Sequence, residues 1–182
     1  MAVKFTELES QCRQIINDVK NGNFAPVYLL MGTEPYYPDL VCDEIMKFAL
    51  TDSERDFNQT VFYGLDTDAG TVASECRSYP MMAERRLVVV KEAQSMKTLE
   101  DLAAYASDPM ESTVLVILMH GASADKRRTL YKNVQKKGVV LVSDALRDYE
   151  MPQWITSFYK SRGLDIEPAA AALLAEYAGT DM

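Results

Sequence analysis

Apolar positions along the chain follow two alternating rhythms. From residue 5 to residue 21, Phe5, Leu8, Cys12, Ile15 and Val19 recur at spacings of three and four and Gly22 follows as a stop, which predicts an amphipathic helix. PVYLLMG (26–32) is then a short unbroken apolar run, the pattern of a strand buried on both faces. A helix is expected over 38–50, carrying Leu40, Val41, Ile45 and Phe48. The same exchange of patterns continues down the chain. Strands are predicted at 60–65, 87–90, 113–119 and 139–142, with helices at 68–78, 98–106 and 125–137 between them. Strands alternating with helices imply βαβ units, hence a three-layer α/β domain with a mainly parallel sheet.

After Ala145 the pattern becomes helical only. RDYEMPQWITSFYKSRG predicts one helix, with Trp154, Ile155 and Phe158 on its apolar face and Gly163 ending it. Glu167-Pro168 opens a second, because proline is tolerated in a first helical turn, and Gly179 stops it. Thr180-Asp181 would cap a further helix, yet the sequence stops at Met182, which suggests a piece of a longer chain. The expected organisation is an α/β domain over 1–145 and part of a helical domain over 146–182.

Composition narrows the class. The 182 residues are 48% hydrophobic and 25% charged, as in an ordinary globular protein rather than a disordered one. No apolar run approaches the roughly 20 residues that span a bilayer, and the acidic, helical N-terminus does not read as a signal peptide. These features predict a cytoplasmic protein without membrane association. Cys12, Cys42 and Cys76 lie far apart, with no CxxC or Cys/His spacing, so reduced buried thiols are expected rather than a metal site. A net charge of −8 argues against strong binding of nucleic acid by the chain alone. It leaves room for a role inside a larger DNA-handling assembly.

The first strand ends in Gly32, where a domain of this kind would carry a phosphate-binding loop. That loop needs GxxxxGK[ST], so that amides cradle phosphate, lysine neutralises it and a hydroxyl reaches magnesium. Counting from Gly32, the second glycine position holds Tyr37, the lysine position Pro38 and the hydroxyl position Asp39. Pro38 has no amide donor, and Asp39 would repel phosphate. The apolar strand 87–90 runs into Lys91-Glu92, placing a cation where a magnesium-binding acid would be needed. The site reads as a degenerate nucleotide site, or as a domain that never had one. No cofactor or metal is expected.

Other chemistry is weak. His120 is the only histidine; Ser123 and Asp125 lie near it, but no G-x-S-x-G elbow is present, and Ser123 is expected to cap the next helix. Lys126, Arg127, Arg128, Lys132, Lys136 and Lys137 form a basic helix that could touch DNA phosphate or an acidic partner, or equally a solvated face; Tyr131 is the one aromatic among them. Tyr36-Tyr37 fits a contact surface or core packing. More distinctive is Ser78-Tyr79-Pro80-Met81-Met82-Ala83-Glu84-Arg85-Arg86 between the helix 68–78 and the strand 87–90. Pro80 breaks the helix, and Tyr79, Met81 and Met82 crowd a short connection. They either pack under their own helix or form an exposed apolar patch that marks a partner site.

The run YPMMAERRLVVVKEAQ resembles a segment of the delta subunits of bacterial DNA polymerase III clamp loaders, where a proline, two bulky apolar residues and basic residues lead into an apolar strand. PVYLLMGTEPYYPDLVCDEI resembles that family's first strand and degenerate loop. STVLVILMHGASADKRRTLYKNVQKKG resembles its later strand and basic helix, and YAGTDM a helix break in its second domain. The resemblance runs in order over nearly the whole chain. It implies an AAA+/P-loop-like fold with a lost nucleotide site, followed by the start of a small helical lid domain. It also implies an apolar pair that inserts into a pocket on the sliding clamp. Here that pair falls on Met81 and Met82, with Tyr79 beside them, where the family more often has Phe or Leu.

The function this implies is a non-catalytic clamp-loader subunit of the polymerase holoenzyme that binds the clamp and promotes ring opening during DNA replication. Its partners would be the clamp, the ATPase subunits and the inactive stator subunit, with DNA met only in the assembled complex. Assembly would run largely through a C-terminal region beyond this sequence, so the chain is expected to bind clamp but not to load it. Two other readings remain. One is a nucleotide-dependent P-loop or AAA+ ATPase with an atypical loop. The other is a stator-like subunit, which the resemblance would equip with a zinc-binding cysteine cluster that is missing here.

Overall fold

The computed structural model describes residues 5–179. Strands β1 (Val27–Met31), β2 (Gln59–Tyr63), β3 (Arg86–Lys91), β4 (Thr113–Leu118) and β5 (Val139–Val142) form one sheet in the order β2-β3-β4-β1-β5. All four pairings are parallel, with Leu29 opposite Ile117 and Val140, and Val88 opposite Thr60 and Leu115. The helices are α1 (Phe5–Lys20), α2 (Tyr36–Phe48), α3 (Asp52–Asn58), α4 (Ala69–Cys76), α5 (Leu102–Ser107), α6 (Thr129–Lys137), α7 (Met151–Ser161) and α8 (Pro168–Ala178).

Alternate residues of the central strands feed two separate cores. Tyr28, Leu30, Leu87, Val89, Val116 and Leu118 pack with α1, α2 and α7 on one face. Leu29, Met31, Val88, Val90, Leu115 and Ile117 pack with α4, α5 and α6 on the other. This two-sided burial is why the strands read as continuous apolar runs rather than alternating ones. The first core continues through Leu146, Met151, Trp154 and Ile155 to Ala171 of α8. Trp154 Nε1 donates to the Tyr37 hydroxyl at 3.0 Å, and Tyr36 meets the rings of Tyr37 and Trp154 edge to face. Tyr36-Tyr37 is thus core packing rather than a contact surface. The observed class is a three-layer α/β domain with a parallel sheet, as expected.

Several boundaries differ from expectation. The helix expected at 38–50 starts at Tyr36 and ends at Phe48, placing Pro38 inside its first turn. The strand expected at 60–65 stops at Tyr63, where Gly64–Asp66 form a 3-10 turn. The helix expected over 98–106 is a 3-10 turn over Leu99–Asp101 followed by α5, and the post-145 helix begins only at Met151 after another such turn. The expected helix 125–137 begins at Thr129, because the Asp125 carboxylate accepts the Arg127 backbone and guanidinium groups, a local turn that competes with helix. Ser123 lies outside that helix and does not cap it; Arg128 stands at the cap position. The short helix α3 was not expected at all. The Thr180-Asp181 cap lies outside the described residues. Among those described, no helix is long and apolar enough to cross a membrane.

Candidate docking site and the crevice opposite it

In a parallel sheet all strands begin at one end and finish at the other, so the connections entering the strands are separated from those leaving them. The segment 77–85 enters β3 and therefore lies at the amino end. Helix α4 closes at Cys76, and the chain then leaves it through Arg77 and Ser78, whose amides take the last carbonyls of the helix. Pro80 prevents its continuation. Tyr79 is 79% exposed, Met81 58% and Met82 fully so at 101%. Met82 also holds a left-handed backbone with φ of 52°, a conformation that costs a non-glycine residue about 1 kcal/mol or more. A side chain held in strain and out of the core contributes nothing to folding by burial.

Phe57 on α3, itself 61% exposed, stands next to this turn. Phe57, Met81 and Met82, with Ser53 and Glu54, line an open cavity of about 330 Å³. The apolar patch is therefore built from two segments. The turn is anchored underneath. The buried Asn58 carboxamide accepts the Met81 amide at 2.6 Å and donates to the Met81 carbonyl at 2.9 Å. Arg86, at the start of β3, donates through Nε and Nη2 to Glu75 Oε1 at 2.9 and 2.5 Å, and the Thr60 hydroxyl reaches the same oxygen. The Arg86 hydrogen bonds hold the Glu75 carboxyl below its ordinary pKa range against partial burial, with Thr60 adding to the shift. Arg85 lies over the Phe24 ring at 4.5 Å.

The opposite, carboxyl end carries the positions compared above with a phosphate loop. β1 leads into α2 on one face, whereas β4 leads into α6 on the other. Their adjacent carboxyl ends thus form the switch-point crevice where doubly wound sheets take ligands. The protein's own groups fill it. His120 Nε2 meets Asp39 Oδ1 at 2.5 Å across the crevice, and the His120 amide donates to Gln94. The buried Glu34 carboxylate accepts the Tyr36 amide at the start of α2, the place a phosphate would occupy. Gly32 has its own packing reason, since a Cβ there would come within 1.8 Å of the Ser143 carbonyl oxygen at the end of β5. Tyr37 is turned into the core, and Lys91 closes β3 beside Tyr63 of β2.

His120 pairs with Asp39 rather than with Asp125, whose carboxylate is bound by Arg127. The basic residues are therefore divided between two elements: Lys126, Arg127 and Arg128 are in the preceding turn, and Lys132, Lys136 and Lys137 are on α6. The three cysteines are buried and free, and burial pushes each thiol up to about 12, so they are inert. Among the described residues no cluster of His, Cys, Asp or Glu could hold a metal.

Sequence reasoning missed Phe57, Asn58, Glu75 and Glu34. A signal for α3 was present: Thr51-Asp52-Ser53-Glu54 fits the capping box, and the Glu54 carboxylate does accept both the Thr51 amide and hydroxyl.

Two outcomes are expected. Glu75→Gln should lower stability at neutral pH by about 1 to 2 kcal/mol, the size of a charge-assisted hydrogen bond at a partly exposed site. A carboxyl whose folded pKa is lowered stabilises the fold above its unfolded value near ~4.3 and loses that contribution as pH falls through the folded value. The gap between wild type and Glu75→Gln in chemical denaturation should therefore close below about pH 4. Separately, titration with magnesium-ATP should give no saturable binding in the micromolar range. Micromolar binding would support the ATPase alternative.

Comparison with known proteins agrees with this architecture. The family described as "DNA polymerase III, delta subunit" matches residues 28–143. The DNA polymerase III subunit delta of Bacillus subtilis is 27% identical over 163 residues, covering 84% of this chain and 47% of that protein. The solved Bacillus subtilis DNA clamp loader delta protein superposes with a TM-score of 0.74 at 24% identity, covering 90% of this chain and 51% of that one. A Thermotoga maritima RuvB point mutant shares the fold at a TM-score of 0.50 and 18% identity, over 95% of this chain and 56% of that one. The chain spans about half the length of these delta proteins. With more than half of its residues matched by the family, the chain belongs to the DNA polymerase III delta subunit family.

Proposed function

We propose that this chain grips the sliding clamp with the turn of Tyr79, Met81 and Met82, and thereby promotes opening of the clamp ring in DNA replication. The observation that carries the reading is the exposure of three large apolar side chains on one anchored turn, in a chain of the delta family. Flexible, polarizable Met side chains suit entry into an apolar pocket, and clustered apolar anchors dominate interface energies. Phe57 extends the same surface. Ring opening then follows from differential binding, since a ligand shifts an equilibrium only as far as it prefers one state.

On this reading the chain carries no catalytic group and needs no cofactor. The crevice at Gly32, Tyr37, Pro38, Asp39 and Lys91 is a degenerate nucleotide site, closed by Glu34 and the Asp39–His120 pair. Hydrolysis belongs to ATPase partner subunits, and the inactive stator completes the assembly. DNA is met only within that cytoplasmic complex. Residues 146–179 are assigned to a helical domain that packs on the first core of the α/β domain.

The test is calorimetric binding of this chain to the sliding clamp of its own organism. Met81→Ala/Met82→Ala should weaken binding by about a hundredfold or more, with an unchanged melting temperature because neither side chain is in the core. Equal affinity of wild type and variant would move the contact elsewhere, and no binding by wild type would end the clamp reading.

A further inference from the structure

We propose that Asn58 is the positioning residue that pre-forms the Met81–Met82 turn for its partner; this rests on the reading of that turn as the docking surface. Asn58 is the last residue of α3 and fully buried. Its Oδ1 accepts the Met81 amide at 2.6 Å, and its Nδ2 donates to the Met81 carbonyl at 2.9 Å and to the Glu54 carbonyl at 3.0 Å. One donor group facing two carbonyls and one acceptor facing an amide allow a single orientation of the carboxamide.

Asn58 immediately precedes β2, where Gln59 begins the register with Leu87 of β3. Its side chain takes both backbone groups of Met81, 23 residues away, and so ties the turn to the end of α3 and the start of β2. Met82 is the next residue, with its left-handed backbone and exposed side chain. A backbone strained in this way persists only where its surroundings over-determine it, and the pinned Met81 supplies that constraint. A turn already in its bound shape spares the partner the ordering cost that a loose loop would impose.

Asn58→Ala leaves every contacting side chain in place but frees both Met81 groups. If the docking shape falls to about a tenth of the population, clamp affinity drops about tenfold in proportion. Because Asn58 is buried, a lowered melting temperature alone would not separate positioning from general support, so two further readouts decide. In the free protein, the Met81 amide should exchange with solvent faster in Asn58→Ala while Val88 and Val89 in β3 stay protected. In a double-mutant cycle, the tenfold loss should shrink to about twofold or less when Met82→Ala is already present, since Asn58 then has little left to present. A full tenfold loss in the Met82→Ala background, wild-type affinity in Asn58→Ala, or an unchanged Met81 amide would each overturn the positioning role. A wild-type chain that fails to bind clamp would overturn the docking reading itself, and this role with it.

Discussion

Everything else in this molecule follows from the burial of a parallel sheet on both faces. With α1, α2 and α7 on one side and α4, α5 and α6 on the other, neither face of β1, β3 or β4 is free to meet a partner. Backbone groups of the central strands are taken by their neighbours, Leu29 for example lying between Ile117 and Val140. The sheet itself then offers partners only the ends where the chain enters or leaves the strands. The six residues of β3 put those two ends about 20 Å apart.

The two ends have opposite characters. At the carboxyl end the crevice between β1 and β4 is the natural place for a ligand, and polar groups of the chain itself fill it: Glu34 at the start of α2, and Asp39 bound to His120 across the gap. A negative charge at each point argues against phosphate there on elementary electrostatics. At the amino end the polar groups are instead used to hold something outward. Asn58 fixes Met81, Glu75 fixes Arg86, and the outcome is an apolar surface of Tyr79, Met81, Met82 and Phe57 presented to solvent. A surface built in this way depends on no bound nucleotide.

How far the sequence foretold this depends on the range of the interaction involved. β1, β3 and β4 were legible because two-sided burial writes itself as runs such as LVVV and TVLVIL. The α1 stripe was legible because its period is local. Gly32, Pro38, Asp39 and Lys91 could be placed at the carboxyl end by counting, but the bond between Asp39 and His120, 81 residues apart, could not. Tyr79, Met81 and Met82 were found by composition, yet whether they pointed out or in needed the fold. Asn58 gave no sign, since its role is defined by a residue 23 positions later. Helix α3 was lost because seven largely polar residues have no apolar period, although its capping box was readable. The basic helix was found but its start was set four residues early, because a local Asp125 turn overrides the helical run there.

The central claim is that the amino-end turn, and not the carboxyl-end crevice, meets the clamp. The most direct measurement places a photo-crosslinking amino acid at position 82 in one sample and at position 120 in another, each mixed with saturating clamp and irradiated. The account predicts a covalent adduct with the clamp from position 82 and none from position 120. An adduct from position 120 with none from position 82 would contradict it.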